Sequence, residues 1–293
     1  MPINALVGYD GSPSANAAID AAASLFPAAH GWITYIWGPP FASGKLRRRL
    51  HSRANDLNEL IDMVETEGEQ EARRLLQAGV TLARAAGWDV EPLLERTWGG
   101  EGLRLAKAAV DVGADLVIVG TRGLGGAQAV LGSVSDLVVH HCPRPTLVIP
   151  YPMLAAESAA LPEGPVAIGW DSSVGARNAY EAAARLFPER DLLLVSVHED
   201  PGGSTDSEEV PADPARNVIQ VNVKRKEGFR NRAVSDALIG AARDREAALV
   251  VVGSRGRSAA REILLGSVAM GTLHHSHRPV MVVPGAGEPT ASE

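Results

Sequence analysis

The sequence predicts an α/β protein of two tandem units, each an open, doubly wound parallel sheet. Three observations carry that reading. Short apolar runs alternate with stretches of helical periodicity, the pattern of repeated β–α–β crossovers. Two of those runs, "ADLVIVG" (114–120) and "AALVVVG" (247–253), are continuously apolar, as central parallel strands covered on both faces are. Third, the chain repeats itself: "ALVGYDGSPSANAAIDAAASLFP" (5–27) returns as "VAIGWDSSVGARNAYEAAARLFP" (166–188), and "HHCPRPTLVIP" (140–150) as "HHSHRPVMVVP" (274–284).

In the first copy, "NALVGYD" (4–10) and "GWITYIW" (31–37) read as strands bounded by Gly or Asp. Between them, residues 14–26 have small and apolar side chains at helical spacing and stop before Pro27. A long helical pattern follows from Leu57 to Ala86, then "DVEPLLER" (89–96) as a strand and residues 100–113 as a helix. The apolar run 114–120 is the fourth strand, 132–141 the last helix and "PTLVIP" (145–150) the last strand.

The second copy follows the same plan with one gap. Asp10 answers Asp171 at an offset of 161, whereas Gly120 answers Gly253 at 133, so about 28 residues are missing between the second strand and the glycine loop. The segment "HEDPGGSTDSEEVPADPA" (198–215) is rich in Pro, Gly, Ser and acids and reads as a loop, so the second domain is expected to lack one helix. The expected boundaries are 1–150 for domain one, 151–163 for a linker, 164–284 for a shortened domain two and 285–293 for a flexible tail.

Bulk properties exclude several functions. The composition is 45% hydrophobic and 22% charged, which is globular. A net charge of −7 and only 4% aromatic residues argue against nucleic-acid coating and base-stacking platforms. No apolar run is long enough to span a bilayer, and the start lacks a signal-peptide pattern. The single cysteine, Cys142, fits a reducing cytoplasm and reads as a packing residue. Two basic clusters, 44–53 and 224–232, read as solvated faces. The paired histidines 140–141 and 274–275 suit a helix C-terminus better than a metal. The expectation is a cytoplasmic protein with no nucleic-acid or membrane partner.

The chemistry concentrates in two glycine-framed loops, "GTRGLGGAQAVLGSVSDL" (120–137) and "GSRGRSAAREILLGSVAMG" (253–271). Each follows an apolar strand and opens a helix. In open parallel sheets ligands bind beyond the carboxyl ends of the strands, so if the first and fourth strands are neighbours each loop faces the Asp after strand one. Glycines let the backbone approach a phosphate and aim N–H groups at it, and a helix N-terminus adds unpaired donors and a favourable dipole. An acid would repel phosphate, so Asp10 suits a ribose hydroxyl or a base amine. Neither a Walker A pattern nor the dinucleotide fingerprint is present. Taken singly, such a loop is as well explained as a tight connection; two copies, each with its Asp, favour a nucleotide.

At these residues the chain resembles tandem universal stress proteins: "VGYDGSPSA", "ADLVIVGTRG" and "AALVVVGSRG", and "LGSVS" followed by "HH" and "RP". The resemblance implies two five-stranded parallel sheets in order 3-2-1-4-5 of the adenine nucleotide alpha hydrolase-like type, whose last strands pair across domains or subunits. It implies an ATP-binding protein that senses or sequesters adenine nucleotide in stress response or growth regulation, with or without Mg²⁺ on the phosphates. It would act as a homodimer or through intramolecular domain pairing, with an unknown regulatory protein as partner.

Carried over to the second copy, the resemblance puts Asp171 at adenine or ribose, Val197 against the base, and Val252 and Gly253 beneath the nucleotide. Arg255, Gly256, Gly266, Ser267 and Val268 surround the phosphates. Nine residues separate Gly256 from Gly266, which keeps the family's spacing; Ala269 departs from it, since a small polar residue usually stands there. The first-copy positions are Asp10, Trp37, Val119, Gly120, Arg122, Gly123, Gly132, Ser133, Val134 and Ser135, with only eight residues between Gly123 and Gly132. Ser135 keeps the hydroxyl that Ala269 lacks. No nucleophile elbow, HExxH or second carboxylate beside Asp10 completes a catalytic set, so any ATPase activity is expected to be weak. A nucleotide-free interaction module acting through dimerisation is the alternative reading.

Overall fold

The structure is a computed structural model that describes residues 2–38, 55–121, 131–198, 217–224, 230–256 and 265–285, together with residues 48 and 51. Both basic clusters lie mostly outside these residues, as do residues 199–215 of the segment 198–215 expected to lack a helix and residues 286–293 of the tail.

The first half runs β1 (Asn4–Gly8), α1 (Pro13–Leu25), β2 (His30–Trp37), α2 (Leu57–Ala85), β3 (Asp89–Arg96), α3 (Glu101–Asp111), β4 (Leu116–Gly120), α4 (Ser133–His141) and β5 (Thr146–Ile149). The second runs β6 (Val166–Gly169), α6 (Val174–Leu186), β7 (Leu192–His198), β8 (Val218–Lys224), α7 (Arg230–Asp244), β9 (Leu249–Gly253), α8 (Ser267–His275) and β10 (Val280–Val283). Between them α5 (Ala155–Ala160) turns part of the expected linker into a short helix, consistent with four alanines among its six residues.

Local rules explain the helix starts. Ser12 and Ser173 cap α1 and α6 by accepting from the Ala15 and Ala176 N–H groups, each at 3.1 Å. Pro13 fills the first turn of α1, where its missing N–H costs nothing. Asp56 caps α2 by accepting from Glu59 N–H at 2.8 Å.

The ten strands among the described residues form one sheet in the order β3-β2-β1-β4-β5-β10-β9-β6-β7-β8. Each half has the order 3-2-1-4-5 with parallel pairing, as the resemblance implied, and β5 joins β10 antiparallel within the chain. Leu147 lies opposite its own counterpart Met281, so the two halves meet about a local two-fold axis. Phe26 and its counterpart Phe187 stack across the same axis with centroids 4.9 Å apart. Helices cover both faces, which leaves every residue of β4 buried.

One cross-domain tie breaks the symmetry. Arg185 donates to Asp115 at 2.6 Å, and the other carboxylate oxygen of Asp115 accepts from Asn4 N–H at 3.0 Å. The counterpart positions carry Ser24 and Ala248, which cannot pair. The linker is fixed by Arg190, which donates to the carbonyls of Leu161, Pro162 and Gly164.

Candidate functional site

In the second repeat β6 ends at Gly169, and Trp170 N–H continues the ladder to the Val195 carbonyl at 3.0 Å. The chain then turns on Asp171, whose Oδ1 accepts from Ser173 N–H at 3.0 Å; Ser172 sits in the left-handed region at φ 59°. That turn delivers the carboxylate to the carboxyl edge of the sheet. The neighbouring strand β9 ends at Gly253, Ser254 N–H bonds the Val283 carbonyl at 2.7 Å, and Gly266 N–H closes back on the Ser254 carbonyl at 2.7 Å. The glycine loop is therefore pinched at its base, and α8 starts directly from the pinch.

A cavity of about 440 Å³ opens between these turns, within the roughly 300–1,000 Å³ of small-molecule sites. All nine residues read from the second copy line it: Asp171, Val197, Val252, Gly253, Arg255, Gly256, Gly266, Ser267 and Val268. The Asp171 carboxylate faces the glycine loop, since a Cβ built on Gly256 would lie 3.1 Å from its Oδ2. Among the described residues nothing accepts from the first-turn N–H groups of Ser267, Val268 and Ala269, and Gly266 offers no side-chain cap. Arg255 Nε is buried with no partner among the described residues. The cavity thus has an acid on one wall and, on the other, three amides with no acceptor among the described residues, a helix dipole and a guanidinium.

The sequence missed part of the lining. Val195 shares a face with Val197 at the strand period of two, and that spacing could have found it. Trp170 and Ala176 come from the Asp turn and α6, while Val234 and Leu238 form an i, i+4 wall of α7. Only the sheet order brings that helix to the cavity, so no local signal marks it.

The first repeat copies the frame. Asp10 Oδ1 accepts from Ser12 N–H at 2.9 Å, Gly132 N–H closes on the Thr121 carbonyl at 2.8 Å, and Ser133, Val134 and Ser135 open α4. Val119 and Gly120 end β4, with Val119 in the core. Arg122 and Gly123 lie outside the described residues. Burial and then the Asp10 charge push the neighbouring Tyr9 phenol above its ordinary value.

Two readings of this repeat change. The pairing registers match Gly8 with Thr34 and Gly169 with Val195, so Val197 corresponds to Ile36 and Trp37 to His198. Adjacent strand residues face opposite sides of the sheet, so Trp37 belongs to the other face and does not take the base position. There it packs under the Arg96 guanidinium, 5.7 Å from its ring centre. The Ser135 hydroxyl, expected to serve a ligand, is buried and donates to the Gly120 carbonyl at 2.7 Å.

Comparison with known proteins follows the same division. Residues 3–150 and 164–284 each match the sequence profile of the universal stress protein family. A universal stress protein of Mycobacterium tuberculosis is 29% identical over 188 residues, covering 58% of this chain and 61% of that protein. One of Mycolicibacterium smegmatis is 30% identical over 205 residues, covering 61% and 65%. The chain thus spans about three fifths of the length of these curated relatives. The crystal structure of a universal stress protein from Archaeoglobus fulgidus overlays on 97% of both chains with a TM-score of 0.67 at 20% identity, a likeness of fold.

Proposed function

The chain belongs to the universal stress protein family, and from that premise we propose that its second domain binds adenine nucleotide, which the protein senses or sequesters in stress response or growth regulation. The observation that carries this is the cavity in which Asp171 faces the glycine loop and the bare first turn of α8. The amides of Ser267, Val268 and Ala269 and the Arg255 guanidinium suit phosphate oxygens, while Asp171 suits a hydroxyl or amine donor. Val195, Val197 and Leu238 supply an apolar floor for a base.

A Mg²⁺ fits this reading as a companion of the phosphates. Such ions keep several waters and take substrate oxygens, and the Ser267 hydroxyl stands on the rim of the same cavity. No three His, Cys, Asp or Glu side chains converge among the described residues, so the protein would contribute little to its coordination.

Calorimetric titration of the full chain with ATP and Mg²⁺, beside analysis of small molecules released on denaturation, tests the proposal. Saturable binding weakened by Asp171→Asn supports it. No released nucleotide and no binding at millimolar ATP refutes it, leaving the reading in which the loops serve only an interaction module.

A further inference from the structure

The two repeats share their backbone packing but not the space beside it. In the second, a Cβ built on the strand-end Gly253 would lie 2.5 Å from the carbonyl oxygen and 2.6 Å from the carbonyl carbon of Gly175, in the first turn of α6. In the first, a Cβ on Gly120 would lie 2.7 and 2.9 Å from the same atoms of Ser14. Strand end and helix start therefore meet in nearly the same way, and positions 14 and 175 can be compared directly.

What fills the space beyond that backbone differs. A Cβ on Gly175 would collide with the carbonyl group of Arg255, at a separation no real carbon and oxygen show. The turn after β9 thus rests on a bare Cα. Ser14 is buried and carries a Cβ at the matching position, and its hydroxyl oxygen would lie within van der Waals contact of any Cβ built on Gly120. That side chain stands where the second repeat has a bare Cα. Two further differences point the same way: the first loop is one residue shorter, and the Ser135 hydroxyl bonds the Gly120 carbonyl.

We infer that Gly175 is a positioning residue whose missing side chain lets the Arg255 turn sit deep enough to form the phosphate cradle, so that the chain binds one nucleotide, in the second repeat alone. This rests on the nucleotide reading of the second cavity and sets its stoichiometry. Gly175 touches no ligand in this account; it acts by positioning the loop that does.

The test is titration of the full chain with ATP and excess Mg²⁺. One equivalent is expected, with none left in Gly266→Glu. Gly175→Ser, with its far-ultraviolet circular dichroism unchanged, should bind at least about tenfold more weakly, and Gly175→Ala should shift the same way. Two equivalents, one equivalent surviving Gly266→Glu, or full affinity in folded Gly175→Ser would each overturn the inference and leave the nucleotide reading standing. Absence of any binding by the wild-type chain would overturn both. Should Gly175→Ser not fold, the wild-type stoichiometry and the Gly266→Glu result decide between these outcomes.

Discussion

Replacing Gly266 by Glu puts a negative charge where the proposal puts phosphate, and the structure says the fold will accept it. Gly266 is the N-cap of α8 at φ −73° and ψ 157°, extended backbone that any residue adopts. A Cβ there would lie 3.3 Å from the Ser254 carbonyl oxygen and 3.8 Å from the Arg255 Cα, tight but open to small adjustment. Changing an N-cap glycine costs about 1 kcal/mol or less, and an acid is favoured by the helix dipole, so ligand-free stability should barely move. Binding should move a great deal. A carboxylate about 5 Å from a phosphate repels each unit of its charge by about 3 kcal/mol at an effective dielectric of about 20, upward of a hundredfold in Kd. Calorimetry with ATP and Mg²⁺, with Gly266→Gln as the neutral control of similar bulk, separates charge from size. If Glu and Gln weaken binding equally, the charge argument is wrong; if Glu binds within threefold of wild type, no phosphate sits at this turn.

Gly253→Ala should destabilise by roughly 1–3 kcal/mol in a denaturant titration, because its Cβ meets the Gly175 backbone, whereas Gly256→Ala meets only the Asp171 side chain and should change binding more than stability. Arg185→Ala should lower stability by about 1 kcal/mol or less, an effect that shrinks in high salt, since this pair is partly exposed. Asp115→Ala should cost more, as it also removes the acceptor for Asn4 N–H. Burial holds the Cys142 thiol above its ordinary 9.0, and burial with nearby acids holds Tyr9 and Tyr35 above 10.0. Folding then favours the neutral forms, so their contribution is intact below about pH 9 and is lost as pH rises through the folded values. Cys142→Ala should flatten the first part of that alkaline fall, measured by denaturant unfolding at stepped pH; an unchanged slope would place the loss elsewhere.

Much of this architecture was legible because the repeat supplied the sequence with its own alignment. The buried runs ending at Gly120 and Gly253, the Asp turns and the glycine frames all rest on local rules of spacing, capping and conformation. Trp37 was misplaced by one residue for a definite reason. Strand β2 is apolar on both faces, with Trp32, Ile33, Tyr35, Ile36 and Trp37 in near succession, so no alternation fixes which side chain faces which helix layer. The order of the strands came from the family resemblance, because periodicity does not specify which strands become neighbours. For the same reason the wall of Val234 and Leu238 stayed hidden, as did the contact of Gly175 with Arg255, which joins residues 80 apart.

Fusion of the two halves bears on why their sites differ. In a dimer of identical chains, any change near the axis is made twice, and a residue that closes one site closes both. Here the axis survives in the Leu147–Met281 register and the Phe26–Phe187 stack, where each residue meets its own counterpart. The Asp115–Arg185 pair has no counterpart, so this contact favours joining unlike halves over joining two copies of either. Once a covalent link and an unsymmetrical tie keep the halves together, position 14 can carry a side chain while position 175 carries none, with the shared sheet undisturbed. The difference between Ser14 and Gly175 is then a change available to a fused pair that a symmetric one could make only by altering both of its sites.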